Sequence, residues 1–371
     1  MPALLLFGLE IGEQDTTMAS TEQDGTAATT VEQLGSMSLK SVERKDDDEA
    51  NKPTTKNGTP TLTLLCSACG KKPNSLKKCN GCKCVWYCDK ECQNKHRKEH
   101  KHECRPIKKE LDKRGGQLEL GTEMDIGPLP DLPPRKECPI CMHVLPIHAS
   151  LHGYYGCCGK IICEGCNMQH QMKSKEKPTC AFCRTKLTES EEEHLRLLRK
   201  RVDLEDPQAV FKLGMTHGYG NYGQPVDQAK CIDLMRQAAA LGFPGAHYQL
   251  GLFYRRGEMG LEQNEEEAIR HHQEAAEGGH LPSRHNIGCK EYNNGNPVAA
   301  MRHWRLCSSL GTKRSMECLI ECFEDGLIHH RDLAESLQGM YRARAEMKSD
   351  DRDKHIAYLK MAGKYEEDFD T

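Results

Sequence analysis

Apolar and polar positions follow helical spacing through the C-terminal half of the chain, and the pattern repeats. The run AVFKLG at residues 209–214 recurs as AHYQLG at 246–251 and, in degraded form, as SRHNIG at 283–288. Each recurrence begins 37 residues after the one before. Self-similarity at this period is typical of stacked helical hairpins, because a single hairpin cannot bury its apolar face alone. The pattern therefore predicts an all-α solenoid within residues 189–371.

A second signature lies in the other helix of each unit. Ala238-Ala239 precedes Gly242, Ala275-Ala276 precedes Gly279, and Cys307-Ser308 precedes Gly311 at a shorter offset. Small residues let two helices approach closely, and a following glycine suits a helix C-terminal cap. A weaker fourth unit starts near Ser315, and the stretch 333–361 continues the helical pattern without the repeat. We expect that stretch to form a polar terminal cap.

These positions resemble the Sel-one-like repeats, relatives of the tetratricopeptide solenoids, over about residues 204–327. The resemblance implies a right-handed stack of antiparallel helix pairs whose concave face carries partner proteins. The cysteines of this region lie within amphipathic patterns, and we expect small core residues instead of metal ligands. They are Cys231, Cys289, Cys307, Cys318 and Cys322.

Two segments lack an apolar pattern. Residues 1–60 are rich in Thr, Ser, Gln, Gly and acidic residues, and such a segment buries too little apolar area to offset its chain entropy. We expect a disordered N-terminal arm there. Residues 111–134 contain clustered glycines and prolines, which break helices and strands. They predict a linker between two cysteine-rich regions.

Composition points to several small units inside the cell. Only 37% of the 371 residues are hydrophobic and 5% are aromatic, too few for one large core. The 52 basic and 55 acidic residues nearly cancel, so no global attraction to nucleic acid or membrane is expected. We expect no signal peptide in the short apolar start, and no stretch has the ~20 apolar residues of a membrane span. The 21 cysteines then indicate metal sites in a reducing compartment, cytoplasmic or nuclear.

Potential zinc ligands concentrate first in residues 61–110. The eight are Cys66, Cys69, Cys79, Cys82, Cys88, Cys92, His100 and Cys104. Cysteine pairs with two residues between them form tight turns that present two sulfurs to one ion. Cys84 is a surplus thiol that could replace Cys82. The many lysines around these ligands offset the charge of the thiolates, so nucleic acid is not the expected partner.

This spacing resembles the MYND finger at every ligand, and Gln93 also matches. The resemblance implies interleaved sites and a short helix between Cys88 and Cys104. One site would comprise Cys66, Cys69, Cys88 and Cys92, and the other Cys79, Cys82, His100 and Cys104. MYND fingers bind short proline-containing peptides through the residue that Gln93 matches, but Arg97 stands where the family has a tryptophan. Because each zinc would have four protein ligands, its role would be structural.

A second set of eight ligands lies in residues 135–188. They are Cys138, Cys141, Cys157, Cys158, Cys163, Cys166, Cys180 and Cys183. The set resembles an all-cysteine RING-like finger, which implies cross-braced sites. One would comprise Cys138, Cys141, Cys163 and Cys166, and the other Cys157, Cys158, Cys180 and Cys183. Lys160 stands at the place of the usual RING histidine and has no lone pair at neutral pH. Cys157 is the expected replacement although adjacent ligands demand an awkward backbone, and His152 is the alternative. Four zinc ions are expected in all.

Two functions from different classes follow. The first is a non-enzymatic zinc-binding scaffold or adaptor whose fingers and solenoid bind proteins or peptides. The second is a RING-type ubiquitin ligase, in which Ile140 and Arg184 would contact a ubiquitin-conjugating enzyme. Ile140 filling the small core of the finger is the structural alternative, and Ala181 stands where RING fingers usually have proline. No phosphate-binding loop or hydrolase triad pattern is found, so no catalytic nucleophile is expected.

Overall fold

The computed structural model describes residues 65–72, 75–129, 134–174, 178–187 and 190–364. All of them belong to one compact unit, Thr63–Thr371. The predicted disordered arm, residues 1–60, lies outside the described residues. Two small cysteine-rich regions precede a stack of helices, which confirms the predicted fold class. We refer to residues 65–113 as the first finger and to residues 134–187 as the second finger.

Each finger combines a short antiparallel hairpin with one helix. In the first finger, strands β1 (Lys77–Lys78) and β2 (Trp86–Tyr87) precede helix α1 (Lys90–Lys113). In the second finger, a 3-10 turn (Ala149–Leu151) and strands β3 (His152–Tyr155) and β4 (Lys160–Cys163) precede helix α2 (Glu164–Lys173). Helix α1 is longer than the expected short helix, because its apolar face continues past Cys104 to the buried Ile107 and Leu111.

Helices of similar length build the rest of the unit. They are α3 (Glu191–Val202), α4 (Pro207–Tyr219), α5 (Gln228–Ala240), α6 (Pro244–Arg256), α7 (Glu265–Glu277), α8 (Leu281–Asn293), α9 (Pro297–Ser309), α10 (Lys313–Glu324), α11 (His330–Met347) and α12 (Asp350–Met361). Helices α4, α6 and α8 pack against α5, α7 and α9, respectively. The 37-residue period is kept from α4 to α8, but α9 begins only 32 residues after α7 because the turn before it is shorter.

The repeated small residues lie where helices cross or end. A methyl group added at Gly251 would come 2.9 Å from the His272 ring, and one added at Gly288 would come 2.6 Å from the Trp304 indole. Helix α7 ends with the left-handed Gly279 (φ 88°), and the next amide donates to the Ala275 carbonyl at 2.9 Å. This glycine-terminated cap satisfies carbonyls that the helix end would leave unpaired.

The first finger packs on the end of the solenoid and shares one apolar core with it. Buried Val85 and Ile107 of the finger belong to the same cluster as Leu337 of α11. Two polar residues of α11 bond to the finger backbone: His330 Nε2 lies 2.9 Å from the Cys82 carbonyl, and the Gln338 amide donates to the Cys84 carbonyl at 2.8 Å. Part of the expected polar cap thus faces the finger: Gln338 is buried against it, whereas Arg342 and Glu346 of the same helix are exposed.

The segment between the fingers is irregular, as its glycines and prolines predict, yet it lies against the solenoid. Ile126 is only 1% exposed, and Met124 forms a parallel bridge with Ile328. The guanidinium of Arg305, itself 2% exposed, donates to the Gly127 carbonyl at 2.6 Å and to Glu335 at 2.8 Å. Because the anchoring side chain comes from a distant helix, the linker pattern alone does not predict this contact.

The second finger has its own small core and docks on other helices. Its buried cluster contains Ile162 and Ala181 together with four of its cysteines. Helix α2 packs against α12, where buried Arg352 donates to the Val144 carbonyl at 2.5 Å. The Tyr154 hydroxyl donates to Asp206, just before α4, at 2.9 Å. Arg135 of the second finger also pairs with Glu346 of α11, so both fingers contact that helix while they lie in separate apolar clusters.

Candidate metal centres

Four turns of the same shape present the paired cysteines. In the Cys-x2-Cys turns that begin at Cys66, Cys79, Cys138 and Cys180, the residue after the second cysteine donates its amide to the carbonyl of the first, over 2.8 to 3.0 Å. These four residues, Gly70, Lys83, Met142 and Arg184, have φ between 57° and 69°. Only glycine adopts this left-handed conformation without cost, so three of the turns hold some backbone strain. The fifth such pair, Cys163 and Cys166, lies at the start of α2 instead.

In the first finger, the structure brings together the four residues of each predicted set. Within each set, the possible ligand atoms all lie within 4.8 Å of one another. Cys69 Sγ is 3.6 Å from Cys88 Sγ, and Cys79 Sγ is 3.8 Å from Cys104 Sγ. A tetrahedral zinc with Zn–S bonds near 2.3 Å puts its sulfurs about 3.8 Å apart. The geometry therefore fits zinc, and the separations are far longer than the ~2.05 Å of a disulfide.

The second finger shows the same arrangement, including the adjacent pair Cys157 and Cys158. Cys183 Sγ lies 3.4 Å from Cys157 Sγ, and Cys158 Sγ lies 3.9 Å from Cys180 Sγ. Adjacent residues can face one point because a tight turn follows β3, where the Gly159 amide donates to the Tyr155 carbonyl at 2.8 Å with φ 70°.

The other predicted set of the second finger also comes together. Cys138, Cys141, Cys163 and Cys166 have their sulfurs within 4.8 Å of one another, and Cys141 Sγ is 3.9 Å from Cys163 Sγ. The alternative ligand His152 is not part of the Cys157 tetrad; it begins β3 and pairs in register with Cys163.

The surplus thiol Cys84 takes another role. It is fully buried, and its Sγ lies 3.2 Å from the Cys82 carbonyl and 3.3 Å from His330 Nε2. The tetrad contains Cys82 and not Cys84. Among the solenoid cysteines, Cys231, Cys307 and Cys322 are buried as expected of core residues, whereas Cys289 and Cys318 are partly exposed.

Even before metal binds, the surroundings favour anionic sulfur at some positions. A side-chain hydrogen bond from Cys163 lowers the pKa of the Cys138 thiol to about 4. Burial raises the pKa of Cys66, but hydrogen bonds from the backbone of Cys88, Cys69 and Ala68 outweigh it, and the pKa falls to about 7. The thiolate is the form that binds zinc. The contact that lowers the pKa of Cys138 raises the pKa of Cys163, so the proton of this pair is held on Cys163.

A residue of the solenoid completes the surroundings of one tetrad. The Tyr341 hydroxyl of α11 lies 3.1 Å from His100 Nδ1 and donates to Glu103 at 2.9 Å. It therefore accepts the Nδ1 proton of His100 and leaves Nε2, 3.3 Å from Cys82 Sγ, as the ligand atom. No sequence signal near the finger marks Tyr341, because it comes 241 residues after His100.

The first finger carries a groove of about 420 Å³ beside this tetrad. Gln93 and Arg97, the two positions singled out from the sequence, both line it. The other lining residues include four with a polar or charged end, Lys90, Asn94, Lys101 and Arg105, and the ring of Tyr87. The groove thus carries four cationic side chains, Lys90, Arg97, Lys101 and Arg105, around a lining that is mostly apolar, and arginine stands in place of the family's tryptophan.

On the second finger, Ile140 faces outward. It is 40% exposed and lies outside the apolar cluster of the finger, and Phe182, between the last two cysteines, is 43% exposed. The alternative that Ile140 fills the finger core therefore disagrees with the structure. Arg184 follows the last cysteine in a left-handed conformation, with its guanidinium 3.2 Å from His170 Nε2.

Comparison with known proteins identifies two of the three modules. The family model "MYND finger" matches residues 66–104, and the model "Sel1 repeat" matches residues 207–243 and 244–280. An uncharacterized protein of Neisseria meningitidis serogroup B, NMB1327, is 35% identical over 92 residues, which are 25% of this chain and 19% of that protein. The chain thus spans about a fifth of the length of the curated relative that it matches.

Two solved structures resemble the chain. One is a Sel1 repeat protein from Oxalobacter formigenes, at 25% identity and TM-score 0.31, covering 34% of this chain and 97% of that one. The other is c5321, a protective antigen of uropathogenic Escherichia coli with an SLR fold, at 24% identity and TM-score 0.34, covering 46% of this chain and 36% of that one. Within the described ranges, no helix has the length and apolar character needed to cross a membrane.

Proposed function

We propose that the chain is a protein-interaction scaffold whose two fingers are held in shape by four zinc ions, two in each finger. The single observation that carries this proposal is the set of four tetrads, in each of which four Cys or His side chains converge on one point. A zinc ion with four protein ligands has no position for water or substrate, so it organises a surface and does no chemistry. MYND fingers and Sel1 repeats are both modules of protein–protein interaction.

The partner surface that the structure supports best is the groove of the first finger. Gln93 lines it, as the peptide-binding pattern of the family requires, and Lys90, Arg97, Lys101 and Arg105 add four cationic groups. Such a surface favours an acidic peptide, because like charges repel basic partners and opposite charges raise the rate of association. We infer that the fitting partner is a short peptide that combines acidic residues with a proline.

Fluorescence anisotropy with labelled peptides tests this groove. We expect a proline-containing acidic peptide to bind the intact chain, and expect the double variant Arg97→Glu, Lys101→Glu to weaken binding at least tenfold. Lys109→Glu, an exposed position of the same helix away from the groove, is the matched control and should change affinity little. Equal binding by the double variant and the control would contradict the proposal. Point variants are preferable to truncation, since the finger shares its core with α11.

A second candidate function is ubiquitin transfer by the second finger. The observation that favours it is the outward-facing Ile140, which sits between the first two cysteines, where a RING-type ligase holds its conjugating enzyme. With Ile140→Ala, we expect self-ubiquitination in a reconstituted assay to be lost at unchanged zinc content. Leu204→Ala, another exposed leucine-sized side chain (62% exposed), is the control. If the parent chain is inactive with every conjugating enzyme of a broad panel, ubiquitin transfer is excluded and only the scaffold function remains.

A further inference from the structure

A cluster of a different kind lies on the second Sel1 repeat, away from both fingers. His247 of α6 and His271 and Glu274 of α7 have their possible ligand atoms within 4.8 Å of one another. His247 Nδ1 lies 3.1 Å from His271 Nδ1 and 3.1 Å from Glu274 Oε2. Two nitrogens bound to one tetrahedral zinc at 2.0–2.1 Å would be about 3.3 Å apart. The spacing is therefore close to that of a formed site.

Hydrogen bonds alone do not satisfy this cluster. A carboxylate only accepts, so the Glu274 contact requires a proton on His247 Nδ1. The contact between the two Nδ1 atoms then requires His271 Nδ1 to accept. Arg270, which only donates, lies 3.2 Å from His271 Nε2 and requires that nitrogen to accept as well. A neutral imidazole has one acceptor nitrogen, so no placement of protons satisfies all three contacts.

A cation at the centre resolves most of this conflict. Both Nδ1 atoms and Glu274 Oε2 would direct lone pairs at it, and the ring protons would move to the Nε2 atoms. Arg270 would then turn away from His271 Nε2, but it keeps its two carboxylate partners, Glu267 and Glu274 Oε1, each at 2.6 Å. A ligand carboxylate held by a second hydrogen bond is the usual arrangement around protein-bound metal.

The cluster is also reachable, and burial keeps the His271 ring neutral. His271 is buried, whereas Glu274 has a side chain 39% exposed, which opens one side to solvent. Burial, with Arg270 and His247 nearby, lowers the pKa of His271 to about 4, so protons do not compete for the ring at neutral pH. The Tyr254 ring stacks on His271 at 5.6 Å and holds its plane.

We propose that His247, His271 and Glu274 bind one divalent ion of the zinc class, with a water in the fourth position. Imidazole with carboxylate suits zinc and the neighbouring transition metals and is a weaker donor set than four thiolates. The ion would join α6 to α7 within one repeat. Unlike the ions of the fingers, it would keep an exchangeable position toward solvent.

The test is a titration of the full chain, with its fingers loaded, by Zn²⁺ and separately by Co²⁺. We expect each chain to bind one further equivalent of metal ion beyond those held by the thiolate sites. Cobalt in that equivalent should give ligand-field bands without the thiolate-to-cobalt charge-transfer band, because no sulfur is present in the cluster. His247→Gln and Glu274→Gln should each weaken the extra equivalent at least tenfold.

Glu267→Gln is the matched control, since it removes a carboxylate from the same helix and the same arginine without touching the cluster. It should retain the extra equivalent. Because Glu274→Gln is nearly isosteric and partly exposed, it carries the test even if the His247 variant folds poorly. A titration that ends at the thiolate sites, or an extra equivalent unchanged in Glu274→Gln, would overturn the proposal.

Discussion

At the scale of single residues, Tyr341 joins the zinc chemistry to the solenoid. Its hydroxyl accepts from His100 and donates to Glu103, and both carboxylate and ring are buried. Groups that orient a ligand histidine typically change metal affinity 10- to 100-fold when they are removed. One hydroxyl of a helix thus supports a site of the finger.

Replacing Tyr341 by Phe should therefore weaken zinc binding in the first finger by about tenfold. The reason is that His100 loses the acceptor of its Nδ1 proton while Glu103 loses its donor. Competition with a chromophoric chelator measures the affinity. Tyr358→Phe, on the half-exposed Tyr358 of α12, is the control and should release zinc like the parent chain. Equal release by both variants would show that Tyr341 only packs.

At the scale of elements, helix α8 depends on a neutral histidine. His280 precedes the helix, and its Nδ1 accepts from the Ser283 amide at 3.3 Å and lies 2.9 Å from the Ser283 hydroxyl. Only an unprotonated Nδ1 can accept. Burial lowers the pKa of His280 to about 4, below its ordinary ~6.5, so the folded state holds the neutral form.

Low pH should accordingly destabilise this repeat. The unfolded chain binds a proton at His280 below about pH 6.5 while the folded chain does not, so this stabilisation is present above that pH and is lost as the pH falls toward 4. From pH 7 to pH 5 the loss is about 2 kcal/mol. His280→Asn keeps an N-terminal cap that does not titrate. Urea unfolding at both pH values should show that the free energy of unfolding falls less from pH 7 to pH 5 in this variant than in the parent chain. Equal decreases in the two proteins would contradict the assignment.

At the scale of the whole molecule, the first finger and the solenoid form one folding unit, whereas the second finger holds a core of its own. Val85 and Ile107 pack in one cluster with Phe323 and Leu337, and Ile162 of the second finger lies in a separate cluster. Loss of zinc from the two fingers should therefore have different consequences for the helices.

Cys79→Ser and Cys180→Ser are a matched pair for this difference, because each removes the first, buried cysteine of a Cys-x2-Cys turn. We expect Cys79→Ser to lower the melting temperature of the helical signal more, by roughly 2–4 °C for each kcal/mol of lost packing. Far-UV circular dichroism measures it. Equal shifts in the two variants would mean that the first finger contributes nothing to the solenoid core.

The sequence predicts features that depend on the spacing of nearby residues and misses contacts between residues that are far apart in the chain. The ligand positions and the 37-residue repeat follow from the spacing of residues along the chain, and the division of the ligands into four tetrads follows from the resemblance to MYND and RING fingers. The repeat helices are confirmed. Arg305, Tyr341 and Arg352 reach their partners across about 180 to 240 residues, where no periodicity connects the two ends. A polar residue such as Gln338 of α11 predicts exposure to solvent but binds the finger backbone, because a sequence pattern does not tell a partner from water.

The separation between Cys84 and His330, 246 residues, has a consequence during synthesis on the ribosome. The finger emerges early, but α11, the helix that covers its apolar side, is made much later. At translation speeds of about 5–20 residues per second, the interval is on the order of tens of seconds. For that time the nascent finger exposes Val85 and Ile107, so chaperone binding and prompt loading of zinc should decide how much of the newly made chain escapes aggregation.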